Sequence, residues 1–161
     1  MSLQISQNER FQQREWRLER IGWGVVGAFV LAGLIGLLGT GPLSWAVTSS
    51  DEGLVTVEYQ RVTHHEADDS LELMFPAEAV EDGIISVEIS GSWLAAVDIQ
   101  GVSPQPSEER AVPNGVVFDI AVERPGATTV LVTFRAQEYG ALGAEVAVRG
   151  DTTSFSQLVL P

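Results

Sequence analysis

No charged residue occurs between Arg20 and Asp51, and this gap constrains the chain more than any other feature. Its centre, Ile21 to Gly39, is nineteen residues of unbroken apolar sequence. As a helix that run is about 28 Å long, close to the roughly 30 Å hydrocarbon core of a bilayer. A secretory signal has an apolar region of only about 7–15 residues. Ser44-Trp45-Ala46 has the small residues of a cleavage site, yet the run is too long for a signal. The expectation is a single transmembrane helix over 21–41, ended at Gly41-Pro42 because proline lacks an N–H and disfavours helix in the residue before it.

The flanks orient this helix. Arg10, Arg14, Arg17 and Arg20 precede the span, the next base is Arg61, and Asp51 and Glu52 come before it. The positive-inside rule then puts the amino terminus in the cytoplasm, with the larger domain on the periplasmic side of a bacterial inner membrane. Trp16 and Trp23 sit at the inner boundary and Trp45 at the outer one, as interfacial anchors. Residues 1–20 form a basic flank with no helix breaker from about residue 9 onward. Arg14, Arg17 and Arg20 lie along one side of it, towards lipid phosphates or an acidic neighbour.

The span is rich in small residues, and they are in register. Gly24, Ala28, Ala32, Gly36 and Thr40 recur at every fourth position. In lipid no hydrophobic force drives helices together, so association relies on close approach, which small residues permit. This row predicts a packing surface for other integral membrane subunits. The span holds no histidine, acid or base, so it offers no side-chain ligand to a cofactor and no proton path.

After a connector over 42–53 the hydrophobic period changes to two. Val55, Val57 and Tyr59 alternate with Thr56, Glu58 and Gln60. Leu71, Leu73 and Phe75 share one face, as do Ile85, Val87 and Ile89. So do Val116, Phe118, Ile120 and Val122, then Val130, Val132 and Phe134, then Val146 and Val148. Shorter candidates are "WLAAVDIQ" and the closing "FSQLVL", read with Leu158 and Leu160 inward. Strands of this kind with one polar face make antiparallel sheets. Residues 54–161 are expected to form an all-β immunoglobulin-like sandwich of seven or eight antiparallel strands behind the single transmembrane helix. Two connections stand out: the proline-rich Ser103–Gly115, and Ala136–Glu145, a hairpin tip where Tyr139 and Leu142 are candidate partner contacts.

Charge limits the partners. From Asp51 onward there are nineteen acids and five arginines, a net of −14, and the chain has no lysine. Such a domain repels nucleic acid and suits a basic partner. Cysteine is absent, which excludes thiolate catalysis and Cys-ligated metals. His64 and His65, with Glu66, Asp68 and Asp69 nearby, are the one candidate metal cluster. Neighbouring strand residues point to opposite faces and no distant ligand completes the set, so a polar turn is the better reading. No phosphate loop, nucleophile elbow or catalytic triad pattern is present, and neither an enzyme nor a cofactor is expected.

The segments "REWRLERIGW", "GLLGTGPLS" and "GLVTVEYQR" resemble uncharacterised bacterial single-pass inner-membrane proteins with a C-terminal extracytoplasmic β domain. The resemblance covers roughly residues 10–62 and implies location without activity. The functional expectation is a non-catalytic accessory subunit of a larger membrane complex, photosynthetic or respiratory, packed by its helix against other subunits. The alternative is a free-standing membrane-anchored module that binds a basic periplasmic protein.

Overall fold

The computed structural model describes residues 9–34, 44–123 and 126–161, with side chains from residue 15 onward. Helix α1 covers Glu9–Leu34. Its first half is polar and charged. From Ile21 to Leu34 it is apolar on every side, and Ile21, Trp23, Phe29 and Leu34 are all exposed. Arg20 stacks on Trp16, one turn earlier, with its guanidinium 3.6 Å from the ring centroid.

No helix among the described residues is long and apolar enough to cross a membrane. The described apolar part of α1, Ile21 to Leu34, is about 21 Å of helix, short of the roughly 30 Å a span needs. The rest of the expected span, including Gly36 and Thr40, lies outside the described residues. The established architecture is therefore an N-terminal helix followed by a two-sheet β-sandwich.

Among the described residues, eleven strands build the sandwich. The first sheet contains β1 (Trp45–Ser49), β2 (Thr56–Gln60), β4 (Asp68–Phe75), β9 (Thr128–Ala136) and β6 (Val97–Ser103), in the order β1-β2-β4-β9-β6. The second contains β3 (Val62–His64), β11 (Asp151–Leu160), β10 (Gly140–Val148), β5 (Ile84–Ser90), β8 (Gly115–Ala121) and β7 (Glu108–Val112), in the order β3-β11-β10-β5-β8-β7. A short helix, α2 (Ser92–Ala95), joins β5 to β6.

The count corrects the expected seven or eight strands, and so does the pairing, because β3 runs parallel to β11. β1 lies in the stretch read as connector, and β7 lies in the stretch read as a long loop. In "WLAAVDIQ" the first residues are α2 and the strand starts at Val97. These elements were hidden because an edge strand needs little apolar alternation. β7, "EERAV", buries almost nothing.

Where the period-two pattern was strong, it gave the correct inward face. Val57, Leu71, Leu73, Ile85, Ile89, Ile120, Val130, Val132, Phe134 and Val146 all have no exposed surface. Each such side chain contributes about 1.5–3 kcal/mol on leaving water. The last strand is the exception: Phe155, Gln157 and Val159 point inward, while Leu158 is 43% exposed. The polar residue goes inside because its hydrogen bonds are met there. Gln157 Nε2 donates to the carbonyl of Gln60 at 2.9 Å and to Asp69 Oδ2 at 3.0 Å.

A tight contact fixes the turn into α2. Gly91 has φ 110°, and a Cβ there would sit 2.6 Å from the Gly143 carbonyl oxygen. That approach brings the Ser92 hydroxyl within 3.1 Å of the Gly143 N–H, which donates to it. The same hydroxyl donates to the Gly143 carbonyl at 3.3 Å. Ser92 thereby satisfies β10 beyond the point where its pairing with β5 ends.

Candidate functional site

The sandwich has two unlike ends. Strand β1 begins just beyond the stretch that follows α1, so the chain enters the sandwich at the end where Trp45 pairs with Gln60. At this entry end the β3–β4 turn meets the β9–β10 turn. The N–H of Glu66 donates to the carbonyl of Ala136 at 2.9 Å, and that of His65 to the carbonyl of Leu160 at 2.7 Å. The His65 ring lies edge-on to Tyr139 at 6.3 Å, and its Nε2 is 3.0 Å from the Gln137 carbonyl.

Two segments singled out in the sequence, "THHEADDS" and "AQEYGALGAE", are thus neighbours in space. Tyr139 is 71% exposed. Leu142, expected beside it at the tip, is buried on β10 and belongs to the core. The tip ends earlier than expected, because β10 starts at Gly140 and Leu142 pairs with Gln157. Outward-facing Val62, Leu158 and Ala141 form a row across β3, β11 and β10 near this end.

The opposite end is acidic. Asp51 and Glu52 lie in the β1–β2 turn, Glu78, Glu81 and Asp82 between β4 and β5, and Glu123 after β8, and all of them are exposed. Among the described residues of these connections and the β10–β11 turn, the base is Arg149; Arg124 lies outside the described residues. Arg149 is already engaged. It donates to the carbonyl of Glu78 at 2.8 Å and pairs with Glu81 at 3.7 Å. Asp151 accepts the N–H groups of Glu52 at 3.2 Å and Leu54 at 3.1 Å, which clamps the β1–β2 turn onto the β10–β11 turn.

The other described arginine side chains with defined ion pairs are also neutralised. Arg110 Nη2 contacts Asp119 Oδ2 at 3.0 Å and its Nε lies 3.4 Å from Glu108. Arg135 Nε contacts Asp68 at 2.8 Å. The Ser86 hydroxyl, at 2.6 Å, and then Arg110 hold the Asp119 carboxyl below the usual carboxylate range. The Arg135 hydrogen bond does the same for Asp68. Carboxylates without such partners dominate what is left. On the outer face of the first sheet Glu58 and Glu72 are directly opposed, an arrangement that costs rather than adds stability.

A groove of about 430 Å³ opens along one side of the sandwich, lined by Ile99, Val102, Pro106, Phe118, Gln100, Gly101, Gln105 and Glu109. It lies where the first sheet ends at β6 and the second at β7. Sequence reasoning missed it. Glu109 sits in the charged Ser103–Gly115 stretch, and no local signal shows that it faces another sheet's edge. Among the described residues no group of three or more His, Asp or Glu side chains has metal-binding geometry.

Of the residues expected on the helix, Trp16, Arg17, Arg20, Trp23, Gly24 and Ala28 are exposed, and Ala32 is half-buried. A Cβ at Gly24 would meet nothing within 4 Å. Trp45 is 44% exposed. Arg14 lies in α1, while Gly36 and Thr40 fall outside the described residues.

The sequence matches no protein-family model, and no curated protein is similar to it. Among solved structures, similarity extends to a cohesin module from a Clostridium perfringens ATCC13124 family 33 glycoside hydrolase. It has 14% identity and a TM-score of 0.45, over 70% of this chain and 98% of that one. A non-cellulosomal cohesin from Archaeoglobus fulgidus gives 11% identity and a TM-score of 0.38, over 73% and 91%. BslA, a bacterial hydrophobin, gives 9% and 0.35, over 71% and 95%. Likeness this distant carries no functional information. It does correct the resemblance to single-pass inner-membrane proteins, since what the chain resembles are β-sandwich modules. The quoted segments are a basic helical flank, a glycine-rich apolar run and one strand, and unrelated chains share such local patterns.

Proposed function

We propose that this protein is a non-catalytic binding module, tethered through the apolar segment 21–41 that begins in α1, that presents the far end of its sandwich to a basic protein. The observation that supports this most directly is the polarity between the two ends. The chain enters the sandwich at the end bearing Trp45 and Tyr139, and six exposed carboxylates crowd three connections at the other. A tether at one end leaves the opposite end free to meet a partner. Net negative charge there raises the encounter rate with cationic surfaces and selects against acidic ones.

The tether extends the sequence-based reading of 21–41 as a membrane helix, with the small-residue row left open to a neighbouring helix. The test uses the full-length protein in lipid nanodiscs and a panel of small cationic proteins. Binding should weaken at least about tenfold between about 50 mM and about 500 mM salt. It should also weaken when Glu78, Glu81 and Asp82 are replaced together by their amides. Binding that ignores both salt and these replacements would overturn the proposal.

A further inference from the structure

We infer that the side groove between β6 and β7 is a site for strand addition, and that it takes an extended peptide segment alternating apolar residues with arginine or lysine. The inference rests on the binding-module reading and names its mode of recognition.

The two sheets are unequal, five strands against six. On the β6–β7 side the last strand of the second sheet, β7, has inward positions that the first sheet leaves uncovered. Glu109 pairs with Phe118 and Ala111 with Val116. Paired residues share a face, and Phe118 and Val116 face the core, buried to 2% and 8% exposure. Glu109 and Ala111 consequently point inward, towards where a sixth strand of the first sheet would stand, yet both are exposed. The vacant strand position lies beside β6, whose other neighbour is β9.

The geometry of this notch matches one extended chain. β6 pairs on one side only, so its other edge presents backbone N–H and C=O groups. The wall is apolar where the inward side chains of an added strand would lie, at Ile99, Val102, Pro106 and Phe118. Strands hydrogen-bonded to such an edge gain affinity from the backbone and specificity from alternate side chains.

Glu109 determines the kind of strand. It lies in the notch wall, and among the described residues no ion pair reaches it; Arg110, its neighbour, turns outward to Asp119 and Glu108. An inward carboxylate penalises an uncharged strand and rewards one bearing a cation at the facing position. A second copy of this chain is a poor occupant, since its own β7 brings Glu108 and Glu109, and its domain is acidic throughout.

The experiment presents the full-length protein in nanodiscs to a displayed library of peptides of about nine residues, long enough for one strand. Enriched peptides should alternate apolar residues with arginine or lysine. They should slow amide exchange in β6 and lose at least about tenfold in affinity to Glu109→Arg. Circular dichroism of that variant verifies folding, and its exposed site gives no reason for collapse. Failure of enrichment, enriched peptides that leave β6 exchange unchanged, or equal binding to Glu109→Arg would each overturn the inference. So would concentration-dependent dimerisation that protects β6, which would give the notch to a second copy. If cationic proteins still bind in a salt-sensitive way while β6 stays unprotected, strand addition fails and the acidic-end reading stands; if neither binds, both fail.

Discussion

Trp93 on α2 donates its indole N–H to Oε1 of Gln157 on β11 at 3.0 Å, and neither side chain has exposed surface. Gln157 in turn reaches the Gln60 carbonyl and Asp69, so a polar thread crosses the core and ties α2 and both sheets together. The rings of Phe134 and Phe155 pack edge-on against Trp93 at 4.8 and 5.5 Å.

Replacing Gln157 by leucine leaves the Trp93 N–H buried without a partner and takes a donor from the half-buried Gln60 carbonyl and from Asp69. The expected loss is about 3 kcal/mol, because each unmet group costs about 1–3 kcal/mol. Trp93→Phe alone strands the Gln157 oxygen. The double variant should lose less than the sum of the two, by about 1 kcal/mol or more. Urea denaturation of all three variants checks this, and strict additivity would refute the coupling.

Two carboxylates in the sandwich should respond to pH in opposite directions. Burial pushes the Asp69 carboxyl above its ordinary value, against hydrogen bonds from the Ser70 N–H and from Thr63 and Gln157. The folded state then holds the proton where the unfolded chain has released it, so Asp69 subtracts stability as pH rises through its folded value. At Asp151 burial pushes upward too, but the Ser50 hydroxyl and the N–H groups of Glu52, Leu54 and Asp51 outweigh it and hold the carboxyl low. Its contribution is present above the ordinary value and is lost as pH falls through the folded one. Relative to the parent, Asp69→Asn should gain stability from about pH 2 to about pH 7, and Asp151→Asn should lose it. Denaturation midpoints at the two ends of that range decide the signs.

Gly91→Ala should be among the most damaging single changes. The new Cβ would meet the Gly143 carbonyl oxygen at 2.6 Å from a backbone with φ 110°. Backbone strain alone costs about 1–3 kcal/mol, and the clash also dislodges Ser92 from Gly143. The melting temperature should fall, and amide exchange at Gly143 should rise with it.

Tyr139 and Leu142, three residues apart, should separate cleanly. Leu142→Ala opens a cavity in the core and should cost about 2–4 kcal/mol. Tyr139→Ser alters an exposed ring and should stay within about 0.5 kcal/mol. Equal losses at the two positions would place Tyr139 in the core, contrary to its 71% exposure.

On α1, Gly24→Leu and Ala28→Leu should leave the denaturation midpoint of the sandwich unchanged. The space around Gly24 is open and both residues are exposed. An effect on self-association or co-purification in mild detergent would mark the row as a contact surface for another helix.

Much of the core was legible because its signal is local. Val57, Leu73, Ile89, Val132 and Val146 declare their face by alternating with polar neighbours, and they are buried. Gln157 and Leu158 show the limit. By side-chain polarity alone Leu158 belongs inside and Gln157 outside, yet partners on α2, β2 and β4, distant in sequence, reverse the choice. Leu142 was misplaced because the end of a turn depends on where cross-strand pairing resumes. The edge strands β1, β3 and β7 were missed because an edge needs no apolar stripe.

The sequence by itself determined an apolar helix at the start, a cysteine-free acidic domain after it, and the inward face of each strongly alternating strand. Composition and period are properties of neighbours along the chain, so they survive without a structure. Only the tertiary structure decided that β6 and β7 end their sheets side by side, that Glu109 shares the inward face of Phe118 yet stays exposed, and that His65 meets Tyr139 at the end where the chain enters the sandwich. Those facts depend on which strands become neighbours and where each sheet stops, and long-range pairing, rather than local preference, settles both.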